Sequence, residues 1–381
     1  MTAPLTGIRI VELAGIGPGP FAGMMLADHG AEVIRIERPG GGAAGPEIPA
    51  DKDILLRSRK RVEMDLKSPA ARAVLLDLIA SADGLIEGYR PGVLERLGLG
   101  PDVLLAANPR LVIGRMTGWG QTGPMAQMAG HDLNYIAIAG ALHGVGRHGA
   151  KPVVPLNLFG DFGGGGMLLA FGMLVALTHA RATGQGQVVD AAMTEGAGLL
   201  MSMLQTFRQI GIWQDDRGVN LLDGGAHFYD TYETADGKFV AIGAIEPQFY
   251  ARLLDLTGLA GDPDFADQMN AGTWDSLRDR LAAIFRSRTR DDWDAVFLGT
   301  DACYAPVLSM AEAPDHPHNR ARGAWVRVDG IVQAAPAPRY SHSETVPPRM
   351  HRAGTDTTDL LAGLGYDPDR IAALMDGASL G

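Results

Sequence analysis

Apolar positions in this chain follow two spacings in turn, one typical of strands and one of helices. Ile8–Leu13 (IRIVEL) is a compact apolar run, followed by a Gly/Pro turn and a helix-like segment, Phe21–His29. Ala31–Glu37 (AEVIRIE) predicts the next strand. Ser68–Ala82 has helical spacing with a serine cap and a proline in its first turn. Gly84–Tyr89 and Leu111–Gly118 supply further strands. Such alternation predicts an α/β architecture, a mostly parallel sheet with helices on both faces.

Residues Gly160–Thr183 and Ala191–Ile212 read as long, largely apolar helices. The longest uncharged stretch, Phe162–Thr178, is slightly short for a membrane span and carries five glycines, so a helix buried inside protein is expected. The character changes near Leu222: alternation of period two surrounds Asp236-Gly237, a hairpin signal, and polar helices follow at Thr273–Ser287 and Asp291–Leu298. The expected organisation is a large domain of residues 1–200 plus 317–381, a linker at 201–224 and a smaller α+β domain at 225–316. The tail, with Pro336, Pro338, Pro347 and Pro348, is expected to be extended and to run back across the large domain.

Composition narrows the class. A chain of 381 residues exceeds one compact core, and 46% hydrophobic with 20% charged residues describes a soluble globular protein. The net charge of −11 argues against a nucleic-acid binder, so an anionic ligand needs a local cationic patch. The one cysteine, Cys303, excludes an intramolecular disulfide framework, fits a reducing cytosol and is expected to be a small buried apolar group. The start, MTAPLTGIRIVEL, shows no basic segment followed by an apolar one; no signal peptide, a cytoplasmic location and no membrane insertion are expected.

Candidate chemistry lies in three distant segments: AGHDLNY (Ala129–Tyr135), FGDFGGGG (Phe159–Gly166) and GAIEPQFY (Gly243–Tyr250). They carry a base, His131, and two carboxyl groups, Asp161 and Glu246. Taken singly, His131 reads as a structural histidine, and Asp161 and Glu246 as helix caps. The four glycines after Phe162 change the balance, since a helix opening on them is unstable unless something approaches closely. The Gly15–Pro20 turn (GIGPGP) tempts toward a dinucleotide fingerprint, but its spacing is wrong and its prolines remove amide donors. RSRKR (Arg57–Arg61) puts four positive charges in five residues, either a solvated turn or a phosphate-binding patch. Arg38 and Arg90 follow strands, where a doubly wound sheet places its ligand crevice. Met193, Met201 and Met203 are expected on one apolar helix, as core or as a flexible acyl surface.

Together GIRIVEL, GPGP, GAEVIRIERP, MDLKSP, IEGYRPGVLERLGLG, MTGWGQTGP, AGHDLNY, GDFGGG and GAIEPQFY resemble the family III CoA-transferase superfamily, and within it the α-methylacyl-CoA racemases. The resemblance runs from Leu5 to about Ser341. It implies an interlocked homodimer, each subunit with a Rossmann-like large domain and a small domain, the active site lying between the large domain of one and the small domain of the other. Coenzyme A would lie on the large domain, against Arg38, Met64, Asp65, Leu66, Lys67, Gly88, Tyr89, Arg90, Arg96, Gly130, Asp132, Leu133, Asn134 and Tyr135. CoA contacts within Gly41–Arg61 are left unassigned.

In that family the histidine of GHD and the aspartate of GDFGGG are the acid/base pair, here His131 and Asp161, with Glu246 orienting the histidine. The implied reaction inverts the α-carbon of a 2-methylacyl-CoA thioester. It needs no metal and no cofactor beyond the coenzyme A of its acyl-CoA substrate. For it Asp161 must hold a proton near neutral pH, as burial favours, and helix-start amides beside Asp161 are the expected donors to the thioester oxygen. Two rivals are a CoA-transferase using Asp161 as nucleophile and a non-catalytic acyl-CoA binder. Opposed His131 and Asp161 have no purpose in the binder, and the small domain lacks the GGGGQ-type loop of the transferases.

Overall fold

The structure, a computed structural model, describes residues 2–40, 48–49, 51–350, 354, 356–376 and 380. It divides into two compact units, one of Met1–Ala139, Leu156–Leu200 and Gly323–Gly381, the other of Gly140–Pro155 and Met201–Arg322. Gly140–Pro155, expected in the large domain, thus groups with the second unit, as does the 201–224 segment expected as a linker.

The first unit is built on six parallel strands, β1 (Arg9–Leu13), β2 (Glu32–Glu37), β3 (Arg59–Glu63), β4 (Gly84–Glu87), β5 (Val112–Thr117) and β6 (Gln187–Ala192), in the order β3-β2-β1-β4-β5-β6. This is the doubly wound, Rossmann-like order, with its switch point between β1 and β4. Helices α1 (Pro18–Asp28), α2 (Pro69–Ile79), α3 (Val93–Arg96), α4 (Pro101–Ala107), α5 (Asp132–Ile138), α6 (Leu168–Thr183) and α7 (Met193–Leu200) complete the large-unit crossovers. The faces separate residue by residue on β1. Ile10 joins a layer with Ala22, Leu26, Leu169 and Met173, while Val11 and Leu13 join Leu75, Leu78, Leu104 and Leu361. Burial on both faces is why these strands read as continuous apolar runs.

RSRKR is neither a solvated turn nor a phosphate patch. It enters the edge strand β3, and its side chains alternate: Arg57, Arg59 and Arg61 are buried, Lys60 faces out to Glu32 at 2.6 Å. Arg59 Nε donates to Glu12 Oε2 at 2.6 Å, Arg57 Nε donates to Asp28 Oδ1 at 3.0 Å, and Arg61 pairs with Glu37 at 2.8 Å. Glu12 also accepts from Arg35. Buried guanidinium groups are tolerable here because carboxylates of β1, α1 and β2 meet them.

The expected 160–183 helix begins instead as a wide, π-helical segment, Leu158–Met167, that continues into α6. Its glycines serve close packing: a Cβ on Gly164 would meet Ala197 N at 2.5 Å and Phe159 O at 2.9 Å, and one on Gly166 would meet the Pro18 carbonyl at 2.8 Å. The Leu158–Thr183 run is long and apolar enough to cross a membrane, but it is not wholly buried as expected. Leu169, Met173 and Leu177 face the sheet, while Met167, Phe171, Leu174 and Val175 are exposed. The expected Ala191–Ile212 helix is interrupted: β6 ends at Ala192, α7 follows, and Met201 precedes a further helix, α8 (Ser202–Gln209). The three methionines therefore do not share one helix; Met193 is buried and Met203 exposed.

The second unit has an antiparallel sheet of β7 (Tyr229–Glu233), β8 (Phe239–Gly243) and β9 (Tyr304–Val307), with α9 (Pro247–Thr257), α10 (Trp274–Phe285), α11 (Arg290–Phe297) and α12 (Pro317–Ala321). The hairpin turns at Gly237, whose φ of 71° is open to glycine. Phe228, Trp274, Phe285, Trp293 and Phe297 fill this core. Cys303, expected buried, is exposed.

The chain returns to the first unit through a hairpin, β10 (Trp325–Val328) and β11 (Ile331–Ala334). Arg57 clamps it, donating to Gln333 Oε1 at 2.9 Å and the Ala334 carbonyl at 2.7 Å. The proline-rich stretch runs extended beyond it, Val346 N donating to the Asp28 carbonyl at 2.8 Å. Two helices the sequence reading missed follow, α13 (Thr357–Gly363) and α14 (Pro368–Asp376).

Candidate active site

Every crossover of the parallel sheet delivers a loop to the carboxyl ends of its strands, where ligands bind in folds of this kind. After β1, Gly17 (φ 66°) turns the chain into α1, whose first turn is made by the prolines of GIGPGP. After β2 comes Arg38, after β3 the Met64–Lys67 turn, and after β4 Gly88, Tyr89 and Arg90, with Arg96 ending α3. Arg38, Lys67, Arg90 and Arg96 are exposed, giving this edge of an acidic protein a cationic surface. Met64 is buried in the core, Leu66 packs against it, and Asp65 accepts from the Lys67 amide at 3.1 Å. The Tyr89 amide donates to Glu87 Oε2 at 2.7 Å, and burial pushes its phenol up. Gly41–Glu47 and Ala50, within the segment left unassigned for CoA contacts, lie outside the described residues.

The loop after β5 ends in His131, the residue that caps α5. Its amide donates to Asn134 Oδ1 at 3.1 Å, and its imidazole is exposed. Tyr135 is buried; its hydroxyl donates to the Gly130 carbonyl and its ring stands edge-on to Trp119, centroids 4.7 Å apart. Leu133 and Asn134 are exposed and Gly130 is half-buried. The turn bearing His131 is thus fixed from below by an aromatic pair.

Asp161 lies in the π-helical segment, half-buried. A Cβ on Gly17 would lie 3.4 Å from its Oδ2, so the bare turn after β1 leaves room beside the carboxyl. Asn157 Nδ2 donates to the same Oδ2 at 2.9 Å. Burial raises the Asp161 carboxyl above the ordinary aspartate range; the Asn157 bond pulls the other way, Asp132 raises it further and His131 lowers it. That influence of His131 on Asp161 places the two in one electrostatic neighbourhood.

Asp132, expected among the coenzyme A contacts, makes a contact within the protein that the sequence did not announce. Its buried Oδ1 accepts from the amides of Gly160 and Asp161, both at 2.7 Å. The Gly160 and Asp161 amides, among the helix-start amides expected as donors to a thioester oxygen, are therefore already engaged. Nothing in the local pattern marks this contact, because the partners are 28 and 29 residues apart.

Glu246 belongs to the second unit. It precedes Pro247 at the start of α9, is exposed, and its carboxylate makes no capping bond to the helix. It raises the nearby Cys303 thiol, second to the partial desolvation of that exposed residue. Behind it, the buried His227 bonds Tyr250 of α9 at 2.7 Å.

A parallel sheet with an acid and a base at its carboxyl edge defines a broad class of α/β enzymes, and comparison gives the family. The profile of CoA-transferase family III matches residues 5–359, and the chain belongs to that family. It is 43% identical to the alpha-methylacyl-CoA racemase of Mus musculus, over 97% of this chain and 96% of that protein, and 42% identical to that of Homo sapiens with the same coverage. Among solved structures, a CAIB/BAIF family protein from Brucella suis superposes with a TM-score of 0.81 at 26% identity, covering 96% of this chain and 100% of the other.

Proposed function

We propose that the protein is an α-methylacyl-CoA racemase, inverting the α-carbon of 2-methylacyl-CoA thioesters by 1,1-proton transfer. The observation that carries this reading is a carboxyl whose proton affinity is raised by burial, Asp161, within the electrostatic reach of a base, His131. For one enantiomer the His131 imidazole takes the α-proton, and the electrons of the C–H bond pass into the enolate of the thioester. Asp161 then gives its proton to the opposite face, leaving imidazolium and carboxylate. For the other enantiomer the roles reverse. Both bonds to hydrogen are exchanged with no net redox change, so the coenzyme A of the substrate is the only prosthetic chemistry required.

The similarity to racemases at 42–43% identity over nearly the whole chain supports this activity over acyl transfer. We assign the CoA moiety to the cationic carboxyl edge carrying Arg38, Lys67, Arg90 and Arg96. Glu246 is the carboxylate we assign to orienting the imidazole, supplied across a dimer interface.

The dimer is supported by an apolar surface on the first unit. Phe171 is 64% exposed and Val175 54% on α6, and Leu199 62% on α7. Exposed apolar side chains of this kind fit an interface. We assign its cover to a second copy of the chain.

Proton NMR of a single-enantiomer 2-methylacyl-CoA in D₂O, without acceptor acid, tests the activity. Loss of the α-proton signal with growth of the other enantiomer is expected. An unchanged spectrum, with CoA migrating once a free acid is added, would overturn the racemase in favour of the transferase.

A further inference from the structure

One buried carboxylate joins the two arms of the site. Asp132 follows His131 in the chain and opens α5, and its Oδ1 receives the amides of Gly160 and Asp161 at 2.7 Å each. The segment it grips is π-helical, a conformation with few intrinsic reasons to persist. It is also glycine-rich, which weakens it further. We infer that Asp132 is a positioning residue for proton transfer, a clamp that sets the distance between His131 and Asp161 rather than a contact to coenzyme A. This rests on the racemase reading of the same pair.

Three observations carry it. The carboxylate is 6% exposed, so it is shielded from a ligand. A Cβ on Gly160 would lie 2.6 Å from Asp132 Oδ1, so the backbone at 160 comes this close only as glycine. The clamp also acts on charge, because Asp132 is among the groups that hold the Asp161 carboxyl up. Among the described residues, few groups face Asp161. From α5 come His131, Asp132 and Tyr135, the last itself raised by burial and by Asp161; from its own segment comes Asn157. On α7 the one charged residue, Glu195, is exposed, and on α1 Asp28 is paired with Arg57.

Two substitutions separate position from charge. Asp132→Asn keeps an oxygen where both amides donate but removes the negative charge. Asp132→Ala removes both. In a coupled pair the midpoint of the bell-shaped pH–rate profile follows the summed affinities of the two sites for protons. Loss of the charge lowers the affinity of Asp161, so Asp132→Asn is expected to move the bell to lower pH and to retain its maximal rate within about tenfold. Asp132→Ala is expected to lose about 100-fold in kcat, as a misplaced pair does, with KM for the acyl-CoA nearly unchanged.

Hydrogen exchange by mass spectrometry reads the clamp without any turnover. Peptides spanning 158–167 should exchange faster in Asp132→Ala and stay protected in Asp132→Asn. An Asn variant with an unmoved profile, or an Ala variant that raises KM while leaving exchange and kcat unchanged, would overturn the clamp. Faster exchange in Asp132→Ala, in a wild-type protein that moves no α-proton, would leave the clamp standing and remove the racemase.

Discussion

Asn157 reaches Asp161 through a 2.9 Å hydrogen bond from Nδ2 to Oδ2, and it opposes the effect of burial on that carboxyl. The pair sits four residues apart at the opening of the π-helical segment, so the amide rides on the same backbone as the group it tunes. A donor to the carboxylate favours its charged form. Asp161 is thereby set between two demands, giving a proton in one direction and taking one in the other.

Asn157→Ala should therefore shift the pH–rate bell to higher pH, the opposite sign to Asp132→Asn. With the Asp161 proton held more tightly, the rate at neutral pH should fall by about tenfold, the worth of one charge-assisted hydrogen bond. Profiles of kcat/KM from pH 5 to 10 check this. A shift to lower pH, or none, would show that Asn157 does not tune the carboxyl.

The same raised carboxyl has a consequence for stability. A group whose folded pKa lies above its unfolded value favours the folded state in its protonated form. Above the folded pKa, the folded state carries a buried charge that the unfolded chain solvates freely. Stability linked to Asp161 is thus lowest at high pH and recovers as pH falls through the raised pKa toward the ordinary aspartate value. Asp161→Asn should abolish turnover and yet raise the melting temperature at pH 8, by about 2 °C, with the difference vanishing near pH 4. Calorimetry across that range decides it; a variant less stable at pH 8 contradicts the sign.

How much of this was legible in the chain depended on where each partner lay. The strands β1, β2, β4 and β5 could be read because apolar side chains on both faces leave a local pattern, and the Rossmann-like class follows from their alternation with helices. Strand β3 could not, since Arg57, Arg59 and Arg61 look like solvent-facing charge until Asp28, Glu12 and Glu37 are brought beside them. Strand β6 hid for a different reason: Gln187, Val188 and Asp190 lie on a sheet edge and read on into the apolar α7. In the site, His131 and Asp161 were marked by their glycine surroundings. Asp132 was placed among the coenzyme A contacts, and its hold on the Gly160 and Asp161 amides was not legible, because a carboxylate gripping distant amides has no local signature.

That buried charge makes a third expectation. Arg59 is fully buried, and its Nε bonds Glu12, which is equally enclosed. Removing one partner of such a pair strands the other in a medium that cannot solvate it. Arg59→Met should destabilise the protein by about 3 kcal/mol in urea unfolding, while the exposed Lys60→Met should change it by less than about 1 kcal/mol. Had RSRKR held a phosphate, both changes would instead appear in KM with stability intact.

The exposed face of α6 gives the last test. Phe171 and Val175 lie one turn apart on a helix whose opposite side, Leu169, Met173 and Leu177, is packed on the sheet. Covered by a second copy, as proposed, the Phe171 ring would contribute about 2 kcal/mol per subunit by its burial. Phe171→Glu places a charge where that cover must sit, and an unpaired charge in an interface costs more than the ring contributes. Light scattering should then show a dimer for the wild type and a monomer for the variant. The monomer should retain a folded first unit by circular dichroism but lose proton exchange, because Glu246 is assigned to the site from across the interface. A wild-type protein that scatters as a monomer and still exchanges the α-proton would place the whole site within one chain.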